Sequence, residues 1–324
     1  MTNNVAATIP VSLHMLWRQP GRAGRLPGRA SVCRMESLRS PNRTIPPGMS
    51  RHAAAIGLSF CLLCGVAAAG WWWGPLSPDQ QEEATPDLPL PPFPPRIAEG
   101  KDYETCLAAL ADDPAGAAAM AESMLAGGGG DGAAHCQGLA LIVTGKPEAG
   151  AIALEALARR STAPPMARAV VLGQAGQARL MVAQPDKAEA DASAALALSP
   201  ADTELFIMRA TAEGMLERFQ DAVADFGAAL QLDSSRADAL VSRAVLHRRL
   251  NELDLAQADV SRALALDPDY PDALLERGIL RERMGDLAGA RVDWERAKGV
   301  DPNSTTADLA QQNLSLLEAG PERR

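Results

Sequence analysis

Over Ala169 to Ser304, apolar residues return every three or four positions, in runs interrupted by short polar stretches such as Met284-Gly285-Asp286. This is the spacing of a helix with one apolar stripe, and each interruption is a place where the chain can turn back on itself. The runs also repeat. Ala188, Ala222, Ala256 and Ala290 stand 34 residues apart, and Ala195, Ala229, Ala263 and Ala297 form a second alanine row behind them. Ala192, Phe226, Val260 and Trp294 make a third row, large except at its first member, and Leu198, Leu232, Leu266 and Val300 close each unit. Small residues recur at Gly176, Ala210, Ala244 and Gly278. Each unit ends in a helix-stopping pair: Ser199-Pro200, Asp233-Ser234, Asp267-Pro268 or Asp301-Pro302.

Two helical runs per period predict an antiparallel helix pair as the unit, with units at 169–202, 203–236, 237–270 and 271–304. One such pair cannot bury its own apolar face, and about three must stack before interface energy exceeds the cost of ordering the chain. The period, the paired alanines, the small residue of the first helix and the terminal Asp-Pro resemble the tetratricopeptide-repeat family, over 136 of 324 residues. The resemblance implies an all-α fold, a right-handed α-solenoid of helix-turn-helix repeats. Three positions depart from the family pattern: Ala192 where a large residue is usual, Ser234 for proline and Asn251 for glycine. After the array, Thr305 to Ala319 places Ala307, Ala310, Leu314 and Leu317 on one stripe opposite Gln and Asn, which predicts a capping helix before a short tail at 320–324.

Charged residues keep the same period. Asp191, Asp225, Asp259 and Asp293 share one position in the second helices; Arg209, Arg243 and Arg277 share one in the first. Rows of opposite sign predict structural salt bridges that fix the pitch of the stack. Each Arg can meet the Asp of its own unit, or each Asp the Arg of the next. The first unit has Ala175 at the arginine position yet keeps Asp191, which favours the second arrangement and a bridge from Asp191 to Arg209.

Upstream, 101–165 keeps the helical texture with poorer matches and reads as two degenerate hairpins. Gly127 to Gly130 interrupt it, Asp131 is expected to cap the helix that follows, and Pro164-Pro165 are expected to set this region apart from the array. Cys106 and Cys136 lie 30 residues apart, close to one repeat length, so they fall at similar heights on neighbouring first helices. A disulfide between them is expected, two buried thiols being the alternative.

Aromatic residues are 4% of the chain against 47% apolar residues in all, so alanine and leucine must fill the core. Small side chains suit helices packed closely side by side. The net charge of −9 is unevenly placed: eight arginines and one glutamate through Arg51 contribute +7, which leaves −16 for the remainder. So acidic a body repels phosphate backbones, and nucleic acid is excluded as a partner.

Residues 53–73 run without a charge (AAAIGLSFCLLCGVAAAGWWW), long enough to span a bilayer, with arginines before and acids after. That asymmetry predicts translocation of everything C-terminal to it, hence a periplasmic or other extracytoplasmic location. If translation begins at Met49, residues 49–73 read as a secretory signal with a cleavage motif at Ala67-Ala68-Ala69. If it begins at Met1, they read as a membrane anchor behind a basic leader at 1–48. Cys61 and Cys64 lie inside the apolar run, where a thiolate is disfavoured, so no redox role is expected. The stretch 74–100 is rich in proline and reads as an extended spacer.

The resemblance assigns first helices to the concave face of the solenoid, and so maps a partner-binding groove onto Ile207, Thr211, Val241, Val245, Leu275 and Ile279, edged by Arg248, Arg249 and Arg283. An apolar floor with arginines at its border suits an extended or helical peptide carrying apolar and acidic side chains. Packing of the groove walls is the alternative role for the aliphatics. Chaperone-tail binders of the family hold a terminal carboxylate with Lys and Asn at the Ile207 and Thr211 type of position, and that clamp is absent here.

Nothing in the chain reads as catalytic. His14 and His52 lie in the leader, and no triad, phosphate loop or metal motif surrounds His135 or His247. No cofactor and no metal are expected, His135 beside Cys136 having no second ligand pair. The expectation is therefore a non-catalytic scaffold for protein–protein interaction that recruits a protein or peptide partner, with a self-assembling envelope component as the alternative.

Overall fold

The computed structural model describes residues 96–320. The expected signal or anchor segment, the basic leader and nearly all of the proline-rich spacer lie outside the described residues.

Thirteen α-helices account for the described residues, with no strand among them: α1 (Lys101–Asp112), α2 (Pro114–Ala126), α3 (Gly130–Val143), α4 (Pro147–Arg160), α5 (Pro165–Met181), α6 (Pro185–Leu198), α7 (Thr203–Met215), α8 (Phe219–Leu232), α9 (Ala237–Arg249), α10 (Leu253–Leu266), α11 (Pro271–Arg283), α12 (Leu287–Val300) and α13 (Thr305–Ala319). Proline opens α2, α4, α5, α6 and α11, at the position where its missing N–H costs nothing and its fixed φ already suits a helix. At three of the helices that no proline starts, a side chain satisfies free amides. Asp202 accepts from the backbone N–H groups of Glu204 and Leu205 at α7, Asp286 from Gly289 at α12, and Ser304 from Ala307 at α13.

Each helix packs chiefly on its neighbours in sequence, so the hairpins stack in chain order from α1 to α13. All eight alanines of the two alanine rows are fully buried (0% exposed), which allows the two helices of each hairpin to approach closely. The third row is buried as well. Trp294 fills the space over Gly278, where a Cβ would overlap its indole, and its Nε1–H donates to the Leu275 carbonyl at 3.2 Å. In the first unit Ala192 is too small to fill that space, and Met208 of the next first helix lies against Gly176 instead.

The apolar core forms two large clusters that meet on α7: Leu205, Met208 and Ala212 belong to the one that begins at Ile97, and Ile207 and Ala210 to the one that ends at Leu314. The first of these runs without interruption from α1 across α4 and α5 into α6, and Arg168 Nε of α5 donates to the Ala158 carbonyl of α4. Pro164-Pro165 therefore do not separate the first hairpins from the repeats. Pro165 opens α5, and burial of Leu154, Leu157, Ala167 and Val171 joins the two sides. Asp131 does not cap α3 either. Gly129 holds the N-cap place, and the Asp131 carboxylate within the first turn accepts the Ser161 hydroxyl at 2.5 Å.

The turn inside each repeat hairpin has one residue in the left-handed region at the same repeat position: Ala183 (φ 52), Glu217 (φ 59), Asn251 (φ 62) and Gly285 (φ 87). Only the last is glycine. The other three hold a conformation that crowds Cβ against the following carbonyl, so the stack imposes the turn on them.

Candidate functional site

The acidic and basic rows converge inside each hairpin. Arg209 grips Asp225 through Nε to Oδ2 at 2.5 Å and Nη2 to Oδ1 at 2.8 Å. Arg243 does the same to Asp259 at 2.7 and 2.7 Å, and Arg277 to Asp293 at 2.9 and 2.7 Å. The expectation that Asp191 bridges forward to Arg209 is overturned: both ends of the Arg209 fork are engaged by Asp225 of its own unit. The reason is geometric, because sixteen residues carry the chain once round the hairpin and bring the two side chains of one unit face to face.

Asp191 is consequently a carboxylate without its arginine. It is 9% exposed, and Oδ2 has no hydrogen-bond partner. Burial, and then the nearby Glu155 carboxylate, push its pKa up to about 7, although Arg179 and Arg159 oppose the shift. Arg179, one turn beyond Ala175, is held by Glu155 of α4 at 2.5 Å and by Gln184 at 2.9 Å. The same place in the next units holds Glu213, His247 and Arg281 in turn. Arg281 adds a second cation to Asp293 at 2.7 Å, and His247 lies 3.9 Å from Asp259. Glu213 is the misfit: 7% exposed, with Oε2 unpartnered, its pKa is raised to about 7 by burial and then by Asp225.

The nine residues expected to form a groove divide into three sets. Ile207 and Val241 are 5% and 7% exposed and belong to the core, so they form no floor for a guest chain. Thr211, Val245, Leu275 and Ile279 are half-buried. The Thr211 hydroxyl donates to the Ile207 carbonyl, and Leu275 and Ile279 pack on the edge of the core. Arg248 is not a free edge residue, because Nε and Nη2 hold the two oxygens of Glu276 on α11 at 2.5 and 3.1 Å, tying neighbouring first helices together. Arg249 and Arg283 are exposed at the ends of α9 and α11. What remains of the expected groove is a face of half-buried aliphatics with two exposed guanidiniums.

Neither a family model nor a curated protein matches the sequence. Solved structures do. PilF of Pseudomonas aeruginosa is similar over 65% of this chain and 96% of its own, with a TM-score of 0.53 and 15% identity. A chain of the APC/C hetero-tetramer Cut9–Hcn1 is similar over 65% of this chain and 42% of its own, with a TM-score of 0.52 and 15% identity. TTC0263, a thermophilic TPR protein of Thermus thermophilus, is 20% identical over 58% of this chain and 98% of its own, with a TM-score of 0.46. The stacked 34-residue hairpins with buried alanine rows decide the fold.

The chain has the tetratricopeptide-repeat fold.

Ahead of the four regular tetratricopeptide-repeat hairpins, a second polar cluster organises the first two. Cys106 of α1 and Cys136 of α3 are joined by a disulfide, with Cα atoms 6.3 Å apart. Next to it the Tyr103 hydroxyl meets His135 Nδ1 at 2.6 Å, and His135 Nε2 meets Gln174 Oε1 of α5 at 2.6 Å. Burial lowers the His135 pKa, which keeps the ring neutral. Gln174 Oε1 can only accept, so Nε2 carries the proton and Nδ1 accepts from Tyr103. His135 is thereby a structural link across three first helices, and among the described residues no three His, Cys, Asp or Glu side chains converge as a metal ion would need.

Two features of the first-helix face are absent from the sequence reading. Glu276 does not stand out there as the partner of Arg248, because it lies outside every repeating row; its position holds Gln174, Met208 and Ser242 in the other units. The exposed Met181 and Met215, which end α5 and α7, stand at the repeat position of Arg249 and Arg283. Reading that column of the repeat would have found them, but methionine and arginine together form no recognisable motif.

Proposed function

We propose that this chain is a non-catalytic scaffold that holds a partner polypeptide along the face of its successive first helices, and that it works outside the cytoplasm. The single observation that carries the binding reading is that face: Val245, Leu275 and Ile279 remain partly open on adjacent helices, while Arg249 and Arg283 project beside them. A stack of hairpins locked by bidentate ion pairs offers it as a rigid, preorganised surface, so a guest chain meets little ordering cost on the protein's side. The extracytoplasmic reading rests on the sequence, in the arginine-flanked apolar run at 53–73, which would also supply a membrane tether if it is retained. The Cys106–Cys136 disulfide is in keeping with an oxidising compartment.

The test is recovery of partners from an envelope extract with the wild type and with Arg249→Glu. Specific partners lost from the variant support the reading, and equal recovery contradicts it. Light scattering across a concentration series separates this from self-assembly into an envelope structure, which alone requires mass to rise with the chain's own concentration.

A further inference from the structure

The four regular repeats end their first helices on Met181, Met215, Arg249 and Arg283. All four side chains are exposed, Met181 and Met215 at 38% and 36%. Because they share one repeat position, they form a single row in which two apolar sites are followed by two basic ones. One helical turn back on the same faces stand Gln177, Thr211, Val245 and Ile279, so the row is backed by polar residues in the first two units and by aliphatics in the last two. Around the basic half, Arg248, Arg249 and Arg283 surround the buried Glu276, whose carboxylate Arg248 already holds. Arg248 is engaged by Glu276, so the exposed guanidiniums of this half are Arg249 and Arg283, on a chain whose body is strongly acidic.

From this row we infer that the first-helix face takes an extended peptide segment with acidic side chains at one end and apolar ones at the other, the acidic end over α9 and α11 and the apolar end over α5 and α7. The inference rests on the partner-binding reading above and gives the partner its chemistry. Methionine suits the apolar half because its flexible thioether adapts to side chains of different shape. Arginine suits the other half because its fork pairs with carboxylates in two-point geometry. Neighbouring helices lie about 10 Å apart, so the row from Met181 to Arg283 covers about 30 Å, the length of about nine extended residues.

The experiment uses the full chain and three fluorescein-labelled twelve-residue peptides: one with two glutamates at one end and two leucines at the other, one with lysines in place of the glutamates, and one with serines there. Fluorescence anisotropy is expected to show the acidic peptide binding best, with affinity falling as salt rises. Arg249→Glu with Arg283→Glu is expected to weaken it about tenfold or more and to transfer the preference to the lysine peptide. Met181→Ser with Met215→Ser is expected to weaken all three peptides while leaving the salt dependence of the acidic one unchanged. Preference of the wild type for the lysine peptide overturns the assigned chemistry and leaves partner binding itself standing. Absence of binding to every peptide, or mass that rises with concentration and falls with Arg249→Glu, also overturns it. Circular dichroism of each variant shows whether the helices persist, and the gain of lysine-peptide binding cannot come from an unfolded chain.

Discussion

Arg209 closes a two-point ion pair on Asp225 across its own hairpin, whereas Asp191, one repeat earlier at the same position as Asp225, has Ala175 where the arginine would stand. The same residue type at the same place in the fold is therefore satisfied in one unit and deprived in another. Removing one partner of a buried pair strands the other, while neutralising a buried carboxylate that never had a partner relieves it.

Asp293→Asn is accordingly expected to destabilise the chain by about 3 kcal/mol, since Asp293 is 1% exposed and holds both Arg277 and Arg281. Asp191→Asn is expected to stabilise it by about 1 kcal/mol at pH 8. Chemical denaturation midpoints measure both, and the opposite signs are the point of the comparison.

The pH dependence follows from the same two buried acids. Asp191 and Glu213 titrate near 7 in the folded chain, well above their ordinary values, so they bind protons on folding between about pH 4 and 7. Their protonated forms favour the folded state, and that stability is lost as pH rises through 7. The wild type measured against Asp191→Asn/Glu213→Gln should therefore be increasingly less stable from pH 5 to pH 8, with the gap closing at pH 4. A gap that widens toward low pH would contradict the assignment.

At the hairpin turns, Ala183→Gly and Glu217→Gly are expected to raise stability by about 0.5–1 kcal/mol, after allowing for the greater freedom of glycine in the unfolded chain. Asn251→Gly should change it less, because asparagine tolerates the left-handed region. Gly285→Ala should lower it by about 1 kcal/mol, as judged by thermal unfolding.

Reduction of the Cys106–Cys136 bond releases a loop of 30 residues, which corresponds to about 3–4 kcal/mol of loop-closure entropy. In a stack where each hairpin touches only its neighbours, the effect should stay local. Hydrogen exchange is expected to quicken in α1–α3 on reduction and to remain unchanged in α10–α12.

The fold was legible because alanine at a 34-residue period has one physical use, close packing of helix on helix, and all eight members of those rows are buried. The binding face was legible only in part. Ile207 and Val241 lie at repeat positions that the resemblance assigns to the groove, yet both are buried in the core, while Leu275 at the same position stays half-buried. Arg248 looks in sequence like an edge cation, but Glu276, 28 residues on, takes its charge. The missing arginine of the first unit points in sequence to a forward bridge from Asp191, yet Asp191 Oδ2 has no hydrogen-bond partner. Pairings of this kind depend on which of two equally spaced neighbours a side chain leans toward, and that angle is not written in the spacing.

The central claim is that a partner lies along the first-helix face. A photoreactive phenylalanine analogue placed at Met215 on α7, or at the more exposed Leu255 on the second helix α10, reports on this in the native cell. The prediction is covalent adducts to another polypeptide from position 215 and none from position 255. Adducts from 255 alone, or equal adducts from both, would contradict it.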